Sequence, residues 1–155
     1  MPPLGGIFCG QISQVRYNRF MNKNLLIIST LLLIFIGFLN FLGSKVGWYS
    51  LLPWFDIVMH FLGGVWVALL TTAFFYKRLC RIAAQRQYLN AGRFIILATL
   101  LVALLWEGWE FGIQGIAKVH GLFATPADSV SDIIFGLLGA MLVVLLVRKQ
   151  IKKHG

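Results

Sequence analysis

Two glutamates three residues apart, Glu107 and Glu110, stand inside ALLWEGWEFGIQ (residues 103–114), a stretch apolar enough to be buried in lipid. A carboxylate within a membrane span is costly and marks a functional site by default. Two more pairs follow helical spacing: Asp56 with His60, and Asp128 with Asp132, each four residues apart. Residues three or four apart share one face of a helix, so each pair offers oxygen or nitrogen ligands on a common side. Gln114, four beyond Glu110, extends that face, and Asn40 is the polar residue near the end of the first apolar run. Only five residues of the chain are acidic, and all five fall in or at the ends of apolar stretches. None is spent on an ordinary solvated surface.

The chemistry these types support is metal coordination. Glutamates on one face repel each other unless a proton or a cation intervenes. Carboxylates with one imidazole suit Mg²⁺, Mn²⁺, Ca²⁺ or iron, with Zn²⁺ also open, and paired spacing leaves room for two ions. In the expected arrangement His60, Glu107, Glu110 and Asp132 bind a divalent metal ion, and Asp56 or Asp128 positions or deprotonates a water. Quieter roles stay open. Thr125-Pro126-Ala127-Asp128 reads as an N-cap, a proline at the first helical position and an acid in the first turn, and Asp56 follows Pro53 in the same manner. Asp132 and His60 lie a turn too deep for capping. Glu107 and Glu110 approach a helix C-terminus, where the dipole disfavours anions. Intramembrane acids also serve proton or cation pathways, but no matching acids continue through the other half of these spans.

The elements that must position these groups are membrane spans. The chain has 155 residues, 59% of them hydrophobic, and a mean hydropathy of +0.81. The expected fold is all-α: an integral membrane four-helix bundle with spans at 24–41, 53–75, 94–113 and 126–147, each near the ~20 residues that cross a bilayer. Residues 1–23 form a basic N-terminal segment whose opening MPPLGGIFCG reads as irregular, 24–147 the membrane domain, and 148–155 a basic tail. The first apolar run is span-length and reads as a retained anchor rather than a signal peptide. Of the fourteen lysines and arginines, only Lys45 and Lys118 lie in the first and third connections. The positive-inside rule therefore places both termini in the cytoplasm and the six paired residues in the outer half of the bilayer. Trp48, Tyr49 and Trp54 then form an outer aromatic belt.

The net charge of +9 is explained by juxtamembrane basic residues meeting anionic lipid, not by nucleic acid. Membrane lipids are the expected partners, and Lys45 and Lys118 can attract an anionic headgroup or envelope precursor as substrate. The connection KRLCRIAAQRQYLNAGR (residues 77–93) reads either as a short amphipathic helix or as a basic loop. Cys9 and Cys80 follow no ligand or redox spacing. Small residues at Gly63, Gly64, Gly108, Gly112, Gly115, Gly136 and Gly139 are expected at helix contacts.

WFDIVMHFLGG (54–64), WEGWEF (106–111) and DSVSDIIFGLLGA (128–140) together resemble the YjdF-like small bacterial inner-membrane proteins and, more distantly, the VanZ-like group. The resemblance spans about residues 48–140 and implies a helical protein of the inner (cytoplasmic) membrane. It implies that Asp56, His60, Glu107, Glu110, Asp128 and Asp132 are the family's polar signature. The VanZ-like group is associated with glycopeptide resistance and the cell envelope. The WEGWE segment is of the YjdF-like kind, so no resistance role is carried over. A transporter or ion-binding module, or a structural partner in an envelope complex, is the alternative to a metal-dependent enzyme.

Overall fold

The computed structural model describes residues 4–84, 88–117 and 126–154, with side chains described for 23–52, 54–75, 79, 90–112 and 127–149. These residues form helices α1 (Leu4–Val46), α2 (Trp48–Leu51), α3 (Pro53–Ala84), α4 (Tyr88–Ala117) and α5 (Pro126–His154). Four are long and apolar enough to cross a membrane, over Lys23–Val46, Trp54–Phe75, Asn90–Gly112 and Ala127–Lys149. The protein is an all-α, membrane-spanning four-helix bundle whose helices contact lipid.

One expectation is corrected. The opening segment is helical from Leu4 rather than irregular. Between Leu4 and Val46 the sequence holds no proline to break the helix. The first and second spans are joined by a further helical turn, α2. Gly47 enters it at φ +76°, the left-handed region that only glycine adopts cheaply. The backbone N–H groups of Ser50 and Leu51 both donate to the Gly47 carbonyl at 3.0 Å. After α3 leaves helical geometry at Phe75, residues up to Ala84 return to it, so the first part of the basic connection is helical.

α3 is the central helix. It packs against α1, α4 and α5, whereas among the described residues α1 touches only α2 and α3. The bundle is therefore a three-helix core of α3, α4 and α5 with α1 laid on the outside of α3. α1 meets α3 through small residues, Ser29 and Gly43, and turns Ile27, Leu31, Ile34 and Phe38 outward. In lipid this costs nothing, since acyl chains are as apolar as leucine.

Among the described residues the α3–α5 contact is the closest, and it sets the register of the site. A Cβ on Gly64 would collide with the Gly136 backbone, and one on Gly139 with the carbonyl of Phe61 and, at 2.9 Å, the nitrogen of Val65. The small residues repeat in parallel register: Gly64 and Ala68 on α3, Gly136 and Ala140 on α5, with both alanines fully buried. Such small-x-x-x-small faces let backbones approach where no hydrophobic drive brings helices together. The expected packing role fails at Gly63, Gly108 and Gly112, where an added Cβ would meet nothing within 4 Å. Those positions lie on faces of α3 and α4 that no neighbouring atom approaches closely. Gly115 lies outside the described side chains.

Below the glycine crossing an apolar cluster of Ala68, Leu79, Ala91, Ile95, Ala140, Val143 and Val144 joins α3, α4 and α5. The buried hydroxyls of Thr72 and Thr99 are satisfied locally, donating to the carbonyls of Ala68 (2.7 Å) and Ile95 (3.0 Å). On α4 the buried residues Ala91, Ile95 and Thr99 recur every four positions. Continued upward, that face carries Ala103 and then Glu107 toward the core.

Candidate metal centre

One turn above the crossing glycines stand His60 on α3 and Asp132 on α5, each four residues before its glycine. Because α3 and α5 run in the same direction, stepping back one turn on both brings these two side chains to the same level, about 6 Å along the axes. His60 Nε2 lies 3.7 Å from Asp132 Oδ2 and 3.6 Å from Asp56 Oδ1, the latter one turn earlier on α3. Asp132 is buried, His60 is largely covered, and Asp56 is the most open of the three, its side chain 46% exposed.

Both distances exceed the ~3.2 Å limit of a good hydrogen bond. They are close to the ~3.0–3.4 Å between adjacent donors around an octahedral ion with bonds of 2.1–2.4 Å. The donors fall into two groups: Asp56, His60 and Asp132, and His60, Glu107 and Glu110. Within each group the ligand atoms lie within 4.8 Å of one another. Imidazole with carboxylate oxygens is a mixed donor set for the harder divalent ions. The protein thus holds a carboxylate–histidine cluster consistent with metal binding.

Five of the six residues expected at the site come together. Asp56, expected to act on a water, lies in the first group, 3.6 Å from His60. Asp128, expected in the same role, is exposed in the first turn of α5 and belongs to neither group. Gln114 continues α4, but its side chain, like the whole of Lys118, lies outside the described residues. The side chains of Cys9 and Cys80 do so too.

Tyr49 is the residue that sequence reading missed, having been assigned to a belt. Its hydroxyl donates to Asn40 Oδ1 at 2.7 Å, tying α2 to α1. Its ring stands edge-on to the buried Phe55 at 5.0 Å, as does Trp48 at 5.3 Å. Gly43 admits this cluster, since its Cβ would come within 2.5 Å of Phe55. Asn40 therefore helps build the corner beside Asp56. Burial first, then the charges of Asp56 and Glu110, push the Tyr49 phenol from 10.0 up to about 12. The only signal in the sequence was the adjacency of Phe55 to Asp56; the nine-residue separation of Asn40 and Tyr49 matches no helical spacing.

In metal-free protein, a difference titration against Tyr49→Phe should show a phenol ionising near 12, and lower in Asp56→Asn/Glu110→Gln but still raised, because burial is the largest cause and remains. The folded state holds this proton more tightly than the unfolded chain. Its contribution to stability is therefore intact below pH 10.0 and is lost as pH rises toward about 12. A phenol ionising at the ordinary value in the parent would contradict the placement.

No curated protein and no solved structure matches the chain. A family model described as "predicted membrane protein" matches residues 7–153, nearly the whole length, and the chain accordingly belongs to the DUF2238 family of membrane proteins.

Proposed function

We propose that this is a metal-dependent protein of the inner membrane, with both ends in the cytoplasm and the site in the outer half of the bilayer. It acts on a lipid or a cell-envelope precursor. The observation that carries the reading is His60 Nε2 flanked by two carboxylate oxygens at 3.6 and 3.7 Å, with Glu107 and Glu110 completing a second group around the same imidazole. His60, Glu107, Glu110 and Asp132 hold divalent metal in this reading. Asp56, the most accessible carboxylate of its group, is placed both to share the metal with His60 and Asp132 and to orient a water, and Asp128 lies one turn farther out on α5.

Access from the lipid phase is supported by the outward-facing Trp106 and Trp109, which flank Glu107 and pack together at 5.3 Å. Lys45, over the Phe41 ring at 5.9 Å, supplies positive charge at that end of α1 for an anionic headgroup. A continuous ion path is disfavoured. Among the described residues the core beyond the glycine crossing is apolar, and the Thr72 and Thr99 hydroxyls are committed to their own helices. Placement beside YjdF-like proteins, and more distantly VanZ-like ones, belongs to the same proposal and rests on the three polar motifs.

The test is elemental analysis of protein purified in detergent without chelators, alongside Glu107→Gln. Metal in the parent, and a lower metal content in the folded variant, are expected, since removing even an outer-shell partner costs 10–100-fold in affinity. A parent that contains no metal and takes up none on adding Mg²⁺, Mn²⁺, Ca²⁺, Fe²⁺ or Zn²⁺ overturns the reading.

A further inference from the structure

The ligand atoms fall into two groups rather than one, and this bears on how many ions the site takes. Donors on opposite sides of one ion are about 4.2 Å apart at bonds of 2.1 Å and about 4.8 Å apart at 2.4 Å. Each group of three meets the wider limit, with all of its atoms within 4.8 Å of one another. The five residues do not merge into a single group under the same limit. Asp56 and Asp132 approach His60 from α3 and α5, while Glu107 and Glu110 both come from α4.

We infer that the cluster is a dinuclear centre: one divalent ion between Asp56, Asp132 and His60, and a second held by Glu107 and Glu110 beside the same imidazole. This rests on the metal-dependent reading above and deepens it by fixing the stoichiometry and the division of ligands.

Charge supports the division. Four carboxylates around one divalent ion leave a net negative charge in a low-dielectric bundle, where each uncompensated charge is expensive. Two divalent ions balance four carboxylates. Pairs of ions ~3.5–4 Å apart are the arrangement that clamps the attacking and leaving oxygens of a displacement at phosphorus or an acyl carbon. The substrate class implied is a phosphate ester or other hydrolysable group presented from the membrane.

The experiment uses Mn²⁺ as the probe on the full chain in detergent, with bound metal counted and the electron paramagnetic resonance spectrum recorded. About two ions per chain with an exchange-coupled spectrum are expected, as for a two-metal site. Glu107→Gln/Glu110→Gln should then retain about one ion with an uncoupled six-line spectrum, and Asp132→Asn should do the same from the other side. Circular dichroism and monodispersity establish that each variant is folded. One uncoupled ion in the parent overturns the dinuclear centre and leaves a single-ion site standing. Loss of all metal in the folded Glu107→Gln/Glu110→Gln variant also overturns it. No Mn²⁺ in the parent overturns the metal-dependent reading along with it.

Discussion

His60→Ala is expected to strip the protein of divalent metal while leaving its helices intact. His60 is the one residue common to both ligand groups, so its loss opens both at once. Every carboxylate belongs to only one. Affinity should fall by more than ~100-fold, about 2.7 kcal/mol, because even outer-shell partners of a metal are worth 10–100-fold. The fold should survive, since His60 lies outside the apolar cluster that joins α3, α4 and α5. Asp128→Asn is the informative control: it removes an acid from the same polar stretch of sequence, but one that belongs to neither group, and should keep its metal. Titration of Mn²⁺ or Zn²⁺ into chelator-treated protein, with circular dichroism in parallel, measures both. Full metal retention in His60→Ala, or equal loss in Asp128→Asn, would show that the ligands are misassigned.

The second large effect is expected at the glycine crossing. In Gly64→Val the new side chain meets the Gly136 backbone, and a helix backbone cannot swing aside as a side-chain tip can. Overpacking ordinarily costs ~1–3 kcal/mol, and the rigid obstacle puts this case at about 3 kcal/mol or beyond. The site should fail with the fold, because moving α5 away from α3 carries Asp132 away from His60. Gly63→Ala, one residue earlier, points into open space and should change stability by less than ~0.5 kcal/mol. Thermal unfolding in detergent and metal content should separate the two variants sharply. Equal tolerance of both would mean that α3 and α5 do not cross at these glycines.

This pair of neighbours shows what a sequence can and cannot say. Gly63 and Gly64 have the same composition, hydropathy and setting, and both read as packing positions. They differ by ~100° around the helix axis. Which one faces α5 depends on how α3 is rotated, and that is decided by all its neighbours together. The same limit applies to Asp128 and Asp56. Each sits in the first turn of a helix, four residues before a second polar group, and each reads equally as a cap or as a site residue. Packing resolves them differently, with Asp56 at ligand distance from His60 and Asp128 exposed.

The sequence by itself determined the four spans, the membrane setting and the three polar pairs. Each of those is a local property: hydropathy accumulates along one segment, and spacings of three or four fix a shared face within one helix. The tertiary structure alone decided that five of the six paired residues meet at His60, that the donors divide into two groups, that α1 stays outside the core, and that Tyr49 bonds Asn40 beside Asp56. These are relations between segments. They depend on the rotation and register of one helix against another, which the backbone contact of Gly64 with Gly136 fixes and periodicity within a single helix does not encode.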